Sequence, residues 1–287
     1  MNWFWLALAC AFLVALADAL SKRHLAGYAG WEMGVVRFGV AGLLLLPWVA
    51  LHPPAMPPPA FWGWMALLLP LELTALLLYV TAIRDHPLSL TLPYLAFTPV
   101  FAIVTGFLLL GETVTRRGLA GILLVVAGAY LLNLSAENGR GLLAPLRAIA
   151  RDRGARMMLG VSFIYGFTAV IGKGALRYMP ASQFGPFYFS LLGIATLVVF
   201  TLAKGGVGRV LARQPGWHLA IGVVMAAMCV THFLALEQVE TAYMLTVKRT
   251  SLLFGMAFGA YWFAERGLVK NLAAGSLMVM GVALVAL

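Results

Sequence analysis

The chain has 287 residues, of which 62% are hydrophobic and 10% are charged, and its formal net charge at pH 7 is +10. This composition lies far outside the range of soluble domains. The positive charge does not indicate nucleic-acid binding, because the basic residues are spread through loops and accompany no aromatic-basic patch. Cys10 and Cys229 lie inside apolar segments, so the sequence offers no disulfide framework or metal quartet, and no cofactor is implied.

Ten apolar segments follow one another along the chain. Each has about 20 residues, enough to cross roughly 30 Å of hydrocarbon. Lipid offers the backbone no hydrogen-bond partner, so we expect all ten to be helices. The first segment lacks a basic region before it and a convincing cleavage site, and we interpret it as a span rather than a signal peptide. The predicted spans are 3–22, 31–51, 61–83, 87–110, 114–134, 157–176, 181–203, 216–236, 239–263 and 267–287.

The second half of the chain repeats the first half. The stretch from Thr98 to Gly128 returns 153 positions later as Ser251 to Gly281, with a Phe, a Gly, a Glu and a later Gly at conserved spacing. Five spans in each copy turn the second copy upside down, and inverted repeats are typical of transporters. A second match, at an offset of 151, relates Lys22 to Lys173.

These features predict an all-α membrane protein in which ten transmembrane helices form two inverted five-helix repeats around a central cavity. The repeats are assigned to 1–134 and 157–287, and a basic linker to 135–156. Basic residues are concentrated in the loops after odd-numbered spans, which predicts a cytoplasmic linker and two outward-facing termini. The other side carries only Arg116, Arg117 and Arg177.

Small residues recur every four positions at equivalent places in spans 4 and 9. Such patterns let two membrane helices approach closely. We expect these two spans to cross each other near the pseudo-two-fold axis. The helix-packing residues are Thr98, Ala102 and Gly106 in span 4 and Ser251, Gly255 and Gly259 in span 9.

Charged groups at membrane depth are expensive and mark candidate functional sites. Glu72 lies near the middle of span 3, where the repeat counterpart is Met225, so the scaffold itself does not require a carboxylate. It could hold a proton, bind the amino group of a substrate, or form an internal salt bridge.

Lys248 and Arg249 are adjacent in span 9, where the first repeat has Leu95 and Ala96. Successive helical positions are about 100° apart, so at most one of the two points squarely into a cavity. A guanidinium there could take a carboxylate or phosphate through two hydrogen bonds. The alternatives are pairing with an acid such as Glu240, or snorkelling toward the membrane surface.

Other polar residues in the spans have simpler interpretations. Asp18 and Lys22 share a face of span 1 and could pair with each other, while the repeated Lys22 and Lys173 suggest gating or anchoring. Arg37 is expected to pair with Glu32. Glu112 and Glu265 precede the fifth span of each half, where an acid favours a helix N-terminus. The aromatic and histidine candidates for a cavity wall are Tyr79, Tyr94, His232 and Tyr243.

The recurring residues also resemble a known family. Pro99, Gly106, Leu110-Gly111-Glu112 and the Gly118 to Gly128 run, with their counterparts, are similar to the paired EamA domains of the drug/metabolite transporter superfamily. The resemblance covers essentially the whole chain. It implies ten helices, a cavity built from the first four helices of each half, and export of small metabolites or amino acids, as in YddG-like exporters. It also implies cytoplasmic termini, opposite to the charge bias.

We therefore expect a monomeric inner-membrane carrier that exports small amphipathic metabolites, most plausibly amino acids, by alternating access, with protons as a candidate coupling ion. The alternative hypothesis is a carrier of phosphorylated solutes or lipid head groups, in which Lys248 and Arg249 bind the phosphate. An intramembrane enzyme is disfavoured, because the sequence has no HExxH motif, repeated acidic cluster or Ser-His pairing signal.

Overall fold

The structure is a computed structural model that describes residues 2–86, 91–136, 151–263 and 272–287. These ranges are mostly helical and contain no strand, which confirms the all-α membrane fold. Seven of the helices are long and apolar enough to cross a membrane on these criteria alone. The helices are α1 Asn2–His24, α2 Gly30–Leu51, α3 Pro59–Asp85, α4 Leu92–Leu110, α5 Arg116–Ala136, α6 Arg153–Tyr178, α7 Ala181–Lys204, α8 Pro215–Leu236, α9 Thr241–Lys248 with Ser251–Phe263, and α10 Leu272–Ala286.

Helix boundaries differ from the predicted spans where local chemistry sets the end. α6 begins at Arg153, inside the predicted linker, because the Asp152 side chain accepts hydrogen bonds from the backbone of Gly154 and Ala155 at 3.2 and 3.3 Å. A short helix, Val207–Arg213, occupies a predicted loop. The first residues of spans 4 and 10, most of the linker, and Glu265 lie outside the described residues.

Contacts between the two repeats are reciprocal. α1 packs against α8 and α9, and its counterpart α6 packs against α3 and α4. α2 packs against its own counterpart α7, and α5 against α10. Each of these contacts is therefore returned by the equivalent helices of the other copy, as expected for a pseudo-two-fold axis.

Glycines mark the places where equivalent helices meet. A Cβ added to Gly42 of α2 would lie 2.7 Å from the Cα of Gly193 in α7. A Cβ on Gly121 of α5 would lie 2.6 Å from the carbonyl oxygen of Gly281 in α10. Only residues without a side chain allow backbones this close in lipid. Gly42 and Gly193 are 151 positions apart, so this offset holds for the second helix of each repeat as well.

α4 and α9 are both discontinuous. α4 starts as a 3₁₀-helix, Leu92–Phe97, and becomes α-helical at Thr98, with Pro99 in its first turn. α9 is interrupted between Lys248 and Ser251, the repeat counterpart of Thr98. Broken helices near the membrane midplane form the binding sites of many transporters. α2 is irregular too, because its segment Val35–Val40 is π-helical.

The small-residue stripe of α4 lies against α6, where the sequence suggested α9. The Thr98 and Ser162 hydroxyls are 3.0 Å apart, and a Cβ on Gly166 would lie 2.8 Å from the Cβ of Phe101. α4 and α9 also touch, through 98–110 and 241–248. At the equivalent place α9 packs on α1, where Phe12 contacts Phe254 with ring centroids 5.5 Å apart.

The remaining small residues make few close contacts. A Cβ on Gly106 would lie 2.8 Å from a carboxylate oxygen of Glu112, so this glycine makes room for that side chain. No described atom lies within 4 Å of a Cβ built on Gly255.

Candidate functional site

A cavity of about 110 Å³ lies between the two repeats. Side chains from α1 to α4 face side chains from α6 to α9 across it. Equivalent positions of the two copies meet there but carry different chemistry. The first repeat supplies Val14, Arg37, Phe38, Glu72, Tyr79 and Leu95, and the second supplies Tyr165, Tyr188, Phe189, Met225, His232 and Lys248.

Two buried charges of the first repeat, Asp18 and Arg37, neutralise each other. Arg37 donates a hydrogen bond to Asp18 at 2.7 Å, and the Tyr79 hydroxyl donates to the other oxygen of Asp18 at 2.7 Å. The guanidinium also lies over the Tyr79 ring, 5.5 Å from its centroid. Asp18 and Arg37 side chains are only 9% and 5% exposed, so this is a buried ion pair with further hydrogen bonding.

This cluster replaces two pairings expected from the sequence. The sequence suggested that Asp18 pairs with Lys22 and that Arg37 pairs with Glu32. In the structure, Asp18 and Arg37 pair with each other. The reason is geometric, because α1 and α2 are antiparallel and joined by a short loop, which brings Asp18 and Arg37 to the same depth. Glu32 instead accepts from the backbone of Ala29 at 2.7 Å, and lies 3.0 Å from Arg213.

Arg249 lies at the break in α9 and lines the cavity. It is 5% exposed. Its guanidinium makes no ion pair with any described residue, and its Nε, like that of Arg37, has no hydrogen-bond partner among them. The expected alternative, pairing with Glu240, is therefore not what the described part of the chain shows. Lys248 also lines the cavity, and its Nζ lies 3.2 Å from Nδ1 of His232.

Glu72 lines the same cavity from α3. Its carboxylate faces the Thr168 hydroxyl of α6 and interacts electrostatically with Lys248. Within the described ranges it forms no salt bridge, so the internal ion pair considered from the sequence is not found there. The carboxylate of Glu72 and the cations of Lys248 and Arg249 thus line one cavity, and none of the three forms a salt bridge with a described residue.

Sequence reasoning missed two tyrosines of the wall. Tyr165 of α6 and Tyr188 of α7 both line the cavity. Tyr188 is 3% exposed, and its hydroxyl has no hydrogen-bond partner among the described residues. The sequence does contain a signal for Tyr188: at the repeat offset of 151 it is the counterpart of Arg37. At the offset of 153 this correspondence is not visible.

Other predicted residues lie away from the cavity. The Tyr243 hydroxyl accepts a hydrogen bond from the Thr115 backbone at 2.7 Å, and Tyr94 is buried without lining the cavity. Lys22 lies in the last turn of α1. These side chains contribute to helix packing and connections rather than to the cavity wall.

The loop between α4 and α5 reaches across to the second repeat. Lys173 and Glu112 form an ion pair of 2.5 Å, and Glu112 also accepts from the backbone of Thr241 at 3.1 Å. We call Glu112, Lys173 and Thr241 the inter-repeat bridge. Glu112 therefore sits at the first turn of α9, whereas the sequence suggested that it serves the start of its own following span.

An inverted repeat around a central cavity that contains charged side chains is the architecture of many membrane transporters. The chain belongs to the EamA-like transporter family, which it matches over residues 1–134 and 152–287. This confirms the resemblance to EamA domains of the drug/metabolite transporter superfamily.

Two individual proteins are also similar. A crystal structure superposes with a TM-score of 0.70 over 98% of each chain at 16% identity, which supports the fold alone. The probable 4-amino-4-deoxy-L-arabinose-phosphoundecaprenol flippase subunit ArnE of Enterobacter sp. (strain 638) is 32% identical over 71 residues. That match spans 25% of this chain and 66% of the relative, just under two thirds of its length.

Proposed function

We propose that this protein is an inner-membrane secondary transporter that exports small zwitterionic solutes, above all amino acids, by alternating access. The observation that carries the proposal is Arg249, a buried guanidinium in the cavity wall without an ion-pair partner among the described residues. A buried unpaired charge is costly, so its retention is best explained by an anionic group that arrives with the solute.

The other cavity side chains fit the rest of a zwitterion. A planar guanidinium binds a carboxylate through two parallel hydrogen bonds. Glu72 offers an opposite charge for an ammonium group. Phe189, Met225 and Phe233 supply apolar wall for a side chain, and a few fixed polar groups on an apolar lining are typical of small-molecule sites.

The reciprocal packing of the repeats supports alternating access. α1 with α8 and α9 forms one set of contacts and α6 with α3 and α4 the other, and the two sets can exchange roles if the halves rock around the axis. The charge bias of the loops would put the inter-repeat bridge on the outer side and the linker in the cytoplasm. We propose a monomer as the transporting unit.

Counterflow in proteoliposomes tests this function. Vesicles loaded with a mixture of unlabelled amino acids should take up several labelled ones saturably. Arg249→Met should abolish the exchange and Glu72→Gln should reduce it, while both variants stay folded. The matched control is Arg117→Met, which removes an exposed arginine of α5 and should leave exchange intact. No exchange by folded wild-type protein would contradict an amino-acid substrate.

Glu72 is also the candidate for proton coupling. If it carries a proton, Glu72→Gln should remove the pH dependence of exchange in vesicles of equal internal and external pH. A pH profile identical to that of the wild type would exclude Glu72 from coupling. Folding is checked in parallel by thermal unfolding of the purified variant.

A second candidate function is transport of a phosphorylated amino sugar or its lipid-linked form. The similarity to a subunit of a probable 4-amino-4-deoxy-L-arabinose-phosphoundecaprenol flippase favours it, and the name of that relative describes a subunit rather than a lone carrier. Arg249 and Lys248 would then receive phosphate, and Glu72 the sugar amine. Competition by aminosugar phosphates, but not by amino acids, would put this candidate first.

A further inference from the structure

Tyr188 is held rigidly in the wall of the cavity by three other rings. It stacks on Phe184 at an interplanar angle of 5° and a centroid distance of 5.8 Å. Phe189 and Phe233 meet it edge-on at 5.8 and 5.6 Å. The side chain therefore cannot turn its hydroxyl elsewhere without repacking this aromatic cluster, since packed side chains occupy single rotamers.

The Tyr188 hydroxyl has no hydrogen-bond partner among the described residues, although the residue is only 3% exposed. Leaving a buried polar group unsatisfied costs free energy. Phenylalanine would fill the same space without that cost. The comparison within the cavity is direct, because Tyr79 faces the same space and its hydroxyl donates to Asp18 at 2.7 Å. The orphaned hydroxyl of Tyr188 thus points to a ligand.

The other groups of the cavity indicate which part of a ligand it meets. Tyr188 and Glu72 line the same cavity from α7 and α3, together with Cys229 and Tyr165. Thr168 faces the Glu72 carboxylate. The cavity therefore offers one carboxylate and hydroxyl oxygens from α3, α6 and α7, and the cations Lys248 and Arg249 from α9. Acceptors around one carboxylate suit a donor-rich cation.

We propose that Tyr188 and Glu72 form a subsite for a primary ammonium group, in which the Tyr188 hydroxyl oxygen accepts one of the three N–H bonds and selects primary over N-methylated amines. The proposal rests on the proposed transport of zwitterions and narrows it to primary amines. It applies equally to a free amino acid and to an amino sugar.

The physical basis of the selection is the number of donors. A primary ammonium has three N–H groups for the two Glu72 oxygens and the Tyr188 hydroxyl; each N-methyl group removes one of these donors, and a trimethylammonium has none. A hydrogen bond to a charged group contributes enough for a discrimination of about tenfold or more. An aromatic box acting through its ring faces would prefer the trimethylated cation instead, so the order of affinities separates the two modes.

The experiment measures binding of n-butylammonium, N-methylbutylammonium and N,N,N-trimethylbutylammonium to purified full-length protein by calorimetry. Wild type should bind n-butylammonium at least about tenfold more tightly than the trimethyl form. Tyr188→Phe should remove most of this preference. Glu72→Gln should weaken binding of all three. Equal ratios in wild type and Tyr188→Phe, a reversed order, or no binding by folded wild type would each overturn the proposal.

Thermal unfolding of the empty protein provides a readout that needs no ligand. Tyr188→Phe should leave the unfolding temperature unchanged or raise it, because the variant loses an unsatisfied hydroxyl. Tyr79→Phe is the matched control and should lower it, because that hydroxyl is bonded to Asp18. A loss of stability in Tyr188→Phe equal to that in Tyr79→Phe would show that the hydroxyl is structural. Amine selection without amino-acid counterflow would refute the amino-acid function and keep the subsite.

Discussion

The two walls of the cavity come from equivalent helices, yet their buried arginines have opposite surroundings. In the first repeat, Arg37 is 4% exposed and lies 2.7 Å from Asp18. In the second repeat, Arg249 is 5% exposed and no described residue pairs with it. Equal burial of the same side chain thus accompanies two different environments, an internal ion pair in the first wall and, in the proposed function, a solute-binding position in the second.

The difference shows that depth in the membrane does not by itself identify a substrate residue. A buried ion pair with further hydrogen bonds has met its desolvation cost within the fold. A buried charge with no partner has not, and the missing partner is then sought outside the protein. The same reasoning separates Tyr79, whose hydroxyl is bonded, from Tyr188, whose hydroxyl is not.

Arg37→Met should have the largest effect on stability. It leaves the Asp18 carboxylate buried without its cation, and breaking a buried pair in this way costs about 3–5 kcal/mol. Denaturant unfolding of the purified variant measures the loss. The double variant Asp18→Asn with Arg37→Met removes both charges and should recover most of the free energy. No recovery would mean that Arg37 acts through packing alone, and the contrast between the walls would fail.

Arg249→Met should show the opposite pattern. The free energy of unfolding should change by less than about 1 kcal/mol or increase, because no described partner is left behind. Binding of a carboxylate-bearing solute should weaken by about 2–5 kcal/mol. Arg249→Lys keeps the charge but not the planar fork, and should restore binding only in part. A stability loss as large as that of Arg37→Met would show that Arg249 has an internal partner after all.

The scaffold could be predicted from the sequence because it depends on length, hydropathy and repetition. The offset between Thr98 and Ser251 marks the positions where both broken helices resume, and the structure begins α-helical segments at those two residues. The starts of helices were less predictable. α6 begins at Arg153 through the Asp152 cap, which adds a turn that hydropathy does not reveal.

The partners of polar side chains could not be predicted, since they depend on which helices face each other at one depth. Asp18 lies on the same helix as Lys22 but pairs with Arg37 on the next one. Glu112 pairs with Lys173 of the other repeat rather than capping the start of α5, the helix that follows it. The sequence indicates Tyr188 only through the repeat offset of 151, which differs by two from the offset of 153 that relates α4 to α9.

Gly166→Ala sharpens the comparison by lowering stability without touching either charged wall. A Cβ there would lie 2.9 Å from the Thr98 carbonyl oxygen, and overpacking of this kind costs about 1–3 kcal/mol. Gly160→Ala on the same helix is the control, because no described atom lies within 4 Å of its Cβ, and it should be neutral or stabilising. Solute affinity should stay unchanged in both. A loss of affinity in Gly166→Ala would mean that reduced stability alone can mimic a binding defect.

The inter-repeat bridge extends the comparison to a partnered charge nearer the surface. The Lys173 and Glu112 side chains are 21% and 12% exposed, so solvent screens the pair more than it screens Asp18 and Arg37. Lys173→Met and Glu112→Gln should each destabilise the protein modestly, with a coupling energy of about 1 kcal/mol in the double-mutant cycle. Because Lys173 also donates to the Val239 carbonyl oxygen at 2.6 Å, and a glutamine at 112 can still accept from the Thr241 backbone, Lys173→Met should be the more damaging of the two. A coupling energy as large as that between Asp18 and Arg37 would show that burial does not set the strength of these pairs, and the bridge would then rank with the first wall as a determinant of the fold.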